Sequence, residues 1–351
     1  MSQGEILQDK LRHAAASGIP LAIHGAGSKA FYGRPVAGEP LSLGEYRGVL
    51  DYSPSELVIT ARAGTPLAEL EALLAQEGQM LAFEPPHFGT RATLGGVIAC
   101  GLSGPARPYA GAARDFVLGI TCLNGKAERL RFGGQVMKNV AGYDVSRTLT
   151  GSLGTLAVLL DISLKVLPRP ETDITLCRAC SQAQAIALFN HWAGQPLPLS
   201  GACHFDGRLY VRLSGTGRGV LAAAERIGAD RMEESGALWQ GLREHGLDFF
   251  SGDTDLWRLS LPPAAPPLEI GGSTLLDWGG AQRWLRSEAS AGAIRSAAAA
   301  HGGHATLFRG AGRSGDIFQP LPAPLLALHK RLKRAFDPRG ILNPGRMYAA
   351  L

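Results

Sequence analysis

Apolar positions recur along this chain in two periods, and the two sort the sequence into elements. Helical spacing marks three segments. Residues 2–18 read as a short amphipathic helix closed by Gly18. Leu67, Leu70, Leu73 and Leu74 follow Thr65-Pro66, with Pro at the first helical position and Gly78 as the stop; that face is core. Leu325, Leu328 and Leu332 share one face of residues 324–336, whose end carries His329, Lys330, Arg331, Lys333 and Arg334, read as a solvated face or, alternatively, as a contact for an acidic surface on a partner. Apolar runs bounded by Gly and Pro mark strands at residues 20–24, 57–61, 116–120 and 156–166, the last stopped by Pro168 and Pro170.

After Pro170 the texture changes. Residues 174–179, 202–205, 208–213 and 305–309 read as strands, and 181–193 and 219–227 as helices. Residues 235–245, 256–261, 281–287 and 291–301 continue the alternation, which predicts a ferredoxin-like α+β module. Three divisions follow: residues 1–170, a second α+β domain at 171–320, and a C-terminal helix and tail at 321–351 that returns to the first.

Glycine clusters abut the strands of the first domain. His24 runs into Gly25-Ala26-Gly27-Ser28-Lys29-Ala30, which fits G-x-G-x-x-A, and Glu45 stands where an acidic ribose partner would be wanted. A Rossmann use of that motif needs a helix opening at the loop. Gly33, Pro35 and Gly38 leave no room for one. The loop is expected either to bind phosphate as a nest of backbone N–H groups or to be a tight turn only. Residues 84–104 are rich in Gly, Ser, Thr and Pro, and read as a loop whose bare backbone, with the Thr93 and Ser103 hydroxyls, lines a flat ligand. Residues 133–170 pass through a polar loop at 138–144, then Gly151 and Gly154, into the longest apolar run. A buried strand entered through bare amides suits a large, flat, anionic ligand such as a dinucleotide.

Bulk composition narrows the classes. The chain has 351 residues, 45% hydrophobic and 19% charged, enough for about two globular domains. Its net charge of +5 is spread along the sequence, which is not the footprint of a nucleic-acid binder. Five scattered cysteines argue for a reducing compartment rather than a disulfide framework. Cys177-x-x-Cys180 has no second pair at zinc spacing, and His301-Gly-Gly-His304 has no third ligand. Gly215 to Gly219 offers a second glycine-rich strand–helix turn, a common feature. The N-terminus is polar, unlike a secretory leader, so a cytoplasmic location is expected.

Taken in order, His24-Gly25-Ala26-Gly27-Ser28, Ala92-Thr93-Leu94-Gly95-Gly96, Arg114-Asp115 and Gly151-Ser152-Leu153-Gly154-Thr155-Leu156 resemble the FAD-binding domain of the vanillyl-alcohol-oxidase (PCMH-type) flavoproteins. Within that family, residues 134–144 and 336–347 are similar to the E subunits of glycolate oxidases. The resemblance implies an α+β fold: a PCMH-type FAD-binding domain of two α+β subdomains, with a ferredoxin-like cap. It implies that His24, Gly25, Ala26, Gly27 and Ser28 bind the pyrophosphate. Thr93, Gly95, Gly96, Ser103, Gly104, Asp115, Gly151, Gly154, Thr155 and Leu156 would line the dinucleotide, with Asn343 returning near the flavin ring. Lys29 stands where covalently flavinylated members carry His, so FAD is expected without a covalent bond; Cys100 is the nearest loop cysteine. The implied activity is oxidation of a small 2-hydroxy acid, glycolate, with electrons leaving to an iron–sulfur subunit beside a second flavin subunit, and a peripheral membrane position through those partners. The chain departs from its substrate-oxidising relatives, which carry a His- and Gly-Asp-Gly-rich metal motif in the cap. His87, Tyr143, His204 and His304 are candidate general bases by residue type alone.

Overall fold

The computed structural model describes residues 1–134, 144–233, 235–312 and 315–351. Residues 138–143 of the polar loop at 138–144, Tyr143 included, lie outside the described residues. The chain forms two compact units. The first comprises Met1–Ser103, Ala112–Pro168 and Arg313–Leu351; the second comprises Gly104–Gly111 and Arg169–Gly312. Residues 104–111 and 169–170 thus leave the first domain expected from sequence, and residues 315–320 join it.

The first unit holds two subdomains. One opens with α1 (Gln3–Ser17), capped by a Ser2–Glu5 capping box and closed by left-handed Gly18. It continues into β1 (Leu21–His24), which pairs in parallel with β2 (Glu39–Ser42). The chain end joins this sheet through a parallel bridge between Leu21 and Leu342. The other subdomain is a five-stranded antiparallel sheet in the order β3-β4-β8-β6-β7, formed by β3 (Val49–Ser53), β4 (Val58–Arg62), β6 (Val117–Leu123), β7 (Arg129–Gly133) and β8 (Val158–Lys165). The predicted run at 156–166 is its central strand, and Ile162 and Leu164 are fully buried there. A small pair, β5 (Gln79–Met80) with β9 (Leu167–Pro168), lies beside α2 (Leu67–Gln76), whose Leu67, Leu70 and Leu74 are buried as the spacing required. Helices α5 (Ala113–Phe116) and α6 (Val145–Leu149) are single turns.

One element contradicts the sequence reading. The glycine-rich run expected to be loop contains α3 (Leu94–Cys100), capped by Thr93 Oγ1 accepting from the Gly96 amide at 3.3 Å. Gly95 weakens a helix on its own. It is nevertheless placed there by packing: a Cβ would come within 2.7 Å of Ala63 Cβ and 2.9 Å of its carbonyl. Tertiary close approach overrides propensity.

The C-terminal helix α11 (Ala323–Phe336) also corrects an expectation. Lys333, read as part of a solvated basic face, is buried. Its ammonium donates at 2.7 Å to the carbonyls of Thr155 and Leu342 and to Asp337 Oδ2. The Asp337 carboxylate, 1% exposed, also accepts from the amides of Ile341 and Leu342. Burial lowers the Lys333 pKa, and the Asp337 charge opposes that shift.

The second unit carries an eight-stranded antiparallel sheet. Its first half is β10 (Thr172–Ala179), α7 (Gln182–Ala193), β11 (Leu199–Phe205), β12 (Arg208–Gly215), α8 (Gly217–Ile227) and β13 (Asp230–Met232). In space these strands run β13-β10-β12-β11, the fourth, first, third and second of a ferredoxin-like βαββαβ module. The second half repeats that permutation. Strands β14 (Leu256–Ser260), β15 (Ser273–Asp277), β16 (Gln282–Arg286) and β17 (His304–Arg309) run β15-β16-β14-β17, and α10 (Ala291–Ala300) connects the last two. The two modules join at β11 and β15, through His204 opposite Leu276. The expected single module is therefore a tandem. Its second copy lacks the first crossover helix, because residues 261–272 read LPPAAPPLEIGG and prolines cannot continue a helical ladder. Arg283 holds that segment in place of a helix: Nη1 donates to the Pro266 carbonyl at 2.6 Å, Nη2 to that of Ala265, and Nε to that of Gly280 at 3.2 Å. Helix α9 (Gly236–Glu244) precedes β14, and α4 (Arg107–Ala110) belongs to the inserted 104–111 segment.

Candidate active site: a cavity between the subdomains of the first unit

The first unit holds a half-open cavity of ≈ 230 Å³, walled by the β1 loop on one side and by α3, the 153–154 turn and β8 on the other. Residues 22–30 line it continuously, joined by Thr93, Gly95, Gly96, Gly154 and Asn343. No helix follows the 25–28 loop, which runs on through turns. Among the described residues nothing in the chain accepts a hydrogen bond from the amides of Gly25, Ala26, Gly27 and Ser28. Four successive unspent donors at a cavity wall make an anion nest. Gly25 is required there, since a Cβ would overlap Thr93 Oγ1, and Gly27 at φ +76° takes a conformation that side chains rarely adopt.

Two cations line the same wall, and sequence reasoning missed both as binding residues. Lys29, 6% exposed, places its ammonium 3.0 Å from the His87 carbonyl and 3.4 Å from Ser28 Oγ. Arg346 donates to the carbonyls of Arg34 at 2.7 Å and Ala30 at 3.0 Å. The signal for Arg346 lay in the C-terminal tail, far from the glycine clusters. Burial raises the pKa of the Cys100 thiol, which also lines the cavity, and Lys29 and Arg346 pull it back down.

Asn343 closes the cavity through the protein itself. Its Oδ1 accepts from the Ile23 amide at 2.6 Å, and its Nδ2 donates to the Leu153 carbonyl at 2.7 Å. It thereby ties β1 to the 151–155 turn at left-handed φ (38°). A Cβ on Gly154 would come within 2.7 Å of Asn343 Nδ2.

Other expected lining residues lie elsewhere. Gly104 belongs to the second unit, where its carbonyl accepts from Trp278 Nε1 at 3.0 Å and Arg107 lies 4.4 Å from that ring. Ser103 Oγ accepts from the Ala113 amide, and Asp115 caps α5 through the Ala112 amide. Gly151 donates to the Ile98 carbonyl, stitching the turn to α3. Thr155 bonds Ser152 and Lys333, and Leu156 is core. None of these residues lines the cavity.

Nor do the described candidate bases reach it. His87 Nε2 pairs with Glu71 at 2.9 Å. His204 Nε2 donates to the Cys180 carbonyl at 3.0 Å, and His304 begins β17. Among the described residues no group of His, Cys, Asp or Glu could hold a metal ion, and the five cysteines are unbonded. No described helix is long and apolar enough to cross a membrane.

Unspent amides, two cations and an apolar remainder fit the diphosphate and flat rings of a dinucleotide, and the parallel-plus-antiparallel subdomain pair with its tandem cap defines an FAD-linked oxidase of the PCMH type. Residues 3–133 match the family described as FAD binding domain, and residues 274–347 match the FAD linked oxidases, C-terminal domain. Glycolate oxidase subunit GlcE of Escherichia coli (strain K12) is 51% identical over 347 residues, 99% of this chain and 98% of that protein. Glycolate oxidase subunit GlcD of Bacillus subtilis (strain 168) is 30% identical over 172 residues, 48% of this chain and 36% of that one. A solved alkyldihydroxyacetonephosphate synthase shares the fold at TM-score 0.67 and 14% identity, covering 97% of this chain and 74% of its own. The chain belongs to the glycolate oxidase E-subunit family of FAD flavoproteins.

Proposed function

We propose that this chain is the FAD-binding subunit of a complex that oxidises glycolate, or a near relative among small 2-hydroxy acids, to glyoxylate. The observation that carries this reading is the 51% identity, end to end, with a protein named as a glycolate oxidase subunit. Bound FAD supplies the acceptor for the two electrons leaving the hydroxyl-bearing carbon. The chain's own residues hold it. The amides of residues 25–28, with Lys29 and Arg346, receive the diphosphate, and Thr93, Gly95, Gly96 and Gly154 let the backbone lie close to the rings. Asn343 keeps the two walls at their spacing. Attachment is non-covalent: Lys29 follows Ser28, and the half-buried Cys100 thiol, its pKa raised by desolvation, is disfavoured as a thiolate nucleophile. Electrons pass on to an iron–sulfur subunit, and a second flavin subunit completes the assembly, in keeping with the word subunit in the names of both glycolate oxidase relatives. Any position at the inner face of the cytoplasmic membrane runs through those partners.

A second reading is favoured by the absence of His87, His204 and His304 from the cavity wall. In it, the chain holds FAD for electron transfer or assembly, and the partner flavin subunit oxidises the substrate. Glycolate added anaerobically to the isolated, FAD-loaded chain separates the two. Bleaching of the flavin band establishes the first reading. Bleaching only after the partner subunits are added establishes the second, and a protein that binds no FAD refutes both.

A further inference from the structure

The Lys29 ammonium is the one buried amine at the cavity wall among the described residues, and its position is set from outside the glycine loop. Its carbonyl acceptor, His87, and the ring it overlies, Phe88 at 5.8 Å, are neighbours on one short segment. That segment is held in an uncommon shape, with Glu84 at φ 47°, Phe88 at 49° and Gly89 at 125°. Left-handed backbone at two non-glycine residues is strained and persists only where surrounding groups pin it. Phe88 packs edge-on against Phe31 at 5.3 Å. A polar pin is His87 Nε2, which donates to Glu71 Oε2 on α2 at 2.9 Å, with both side chains largely shielded at 16% and 29% exposure.

We infer that Glu71 and His87 are positioning residues for the cofactor diphosphate: anchoring His87 to α2 presents its carbonyl to Lys29 and aims that ammonium at the anion nest. This rests on the FAD reading above. Glu71 touches no cavity atom and acts only through His87 and Lys29. The His87 carbonyl is the shorter of the two contacts given above for that ammonium, so the ammonium changes direction when the carbonyl swings.

The test is a double-mutant cycle on FAD affinity, measured by titrating FAD into FAD-depleted full-length protein and following flavin fluorescence. Lys29→Met should weaken binding about 10- to 100-fold, the loss expected for one charge-assisted hydrogen bond to phosphate. Glu71→Ala should weaken it about fivefold, whereas Glu71→Gln, whose amide oxygen still accepts from His87, should stay within about twofold. In the Lys29→Met background, Glu71→Ala should add nothing. A merely structural role would make the two losses multiply, and that outcome overturns the inference while leaving FAD binding established. Unchanged affinity in Glu71→Ala overturns it as well. Wild-type protein that binds no FAD overturns both this inference and the functional reading beneath it.

Discussion

Replacing Lys333 with Met tests how the chain end is locked onto the cavity. The ammonium spends its three protons on three acceptors at 2.7 Å: the Thr155 and Leu342 carbonyls and Asp337 Oδ2. Removing it orphans a carboxylate that is 1% exposed and retains only two backbone donors. Breaking one side of a buried ion pair costs about 3–5 kcal/mol. A unit of roughly 200 residues loses about 2–4 °C per kcal/mol, so its melting transition should fall by roughly 6–20 °C. The double variant Lys333→Met/Asp337→Asn removes the orphaned charge while keeping an oxygen for the Ile341 and Leu342 amides, and should recover roughly half of the loss. The assay is calorimetry at pH 7 of wild type, single and double variants, with FAD affinity measured in parallel. Affinity should fall with stability, because Thr155 adjoins Gly154 and Leu342 adjoins Asn343, both at the cavity wall. A single variant within about 1 kcal/mol of wild type, or a double variant less stable than the single, would refute the reasoning.

Two further outcomes follow from the same packing. Gly25→Ala places a Cβ on Thr93 Oγ1, displacing the cap of α3, so the protein should lose about 0.5–2 kcal/mol and at least about tenfold in FAD affinity, read by melting and titration. Full affinity in that variant would mean that the loop does not approach the ligand. The Tyr46 hydroxyl donates to Asp161 Oδ1 at 2.7 Å, and burial, then that carboxylate, pushes its pKa up to about 12. The folded state therefore keeps a proton that the unfolded state releases above about pH 10, so stability should be lost as pH rises from about 10 to 12. Denaturant unfolding across that range, compared with Tyr46→Phe, checks the sign; a flat wild-type profile would exclude it.

Much of the first unit was legible because its signals are local. Alternation, Pro stops and glycine punctuation mark β1, β4, β6 and β8 without reference to partners, and Leu67, Leu70 and Leu74 declare the buried face of α2. The 25–28 loop could be separated from a Rossmann turn because Gly33, Pro35 and Gly38 forbid the helix that such a turn needs. The ferredoxin-like alternation was visible in the cap. The tandem was not, since β15 was missed and the proline segment hides the missing crossover.

The sequence by itself pointed to the class of ligand: bare-backbone turns beside buried strands suit a flat anion where they converge. Only the tertiary structure decided which turns share a cavity. Gly104 carries the same letter as Gly95, yet one packs with Trp278 in the second unit and the other lies on Ala63 at the cavity wall. Lys29, Lys333 and Arg346 look like surface charges when read in order along the chain. Each acquires its role from carbonyls distant in sequence, at residues 87, 155 and 30, and a contact that closes so long a loop leaves no periodic mark on the residues that make it.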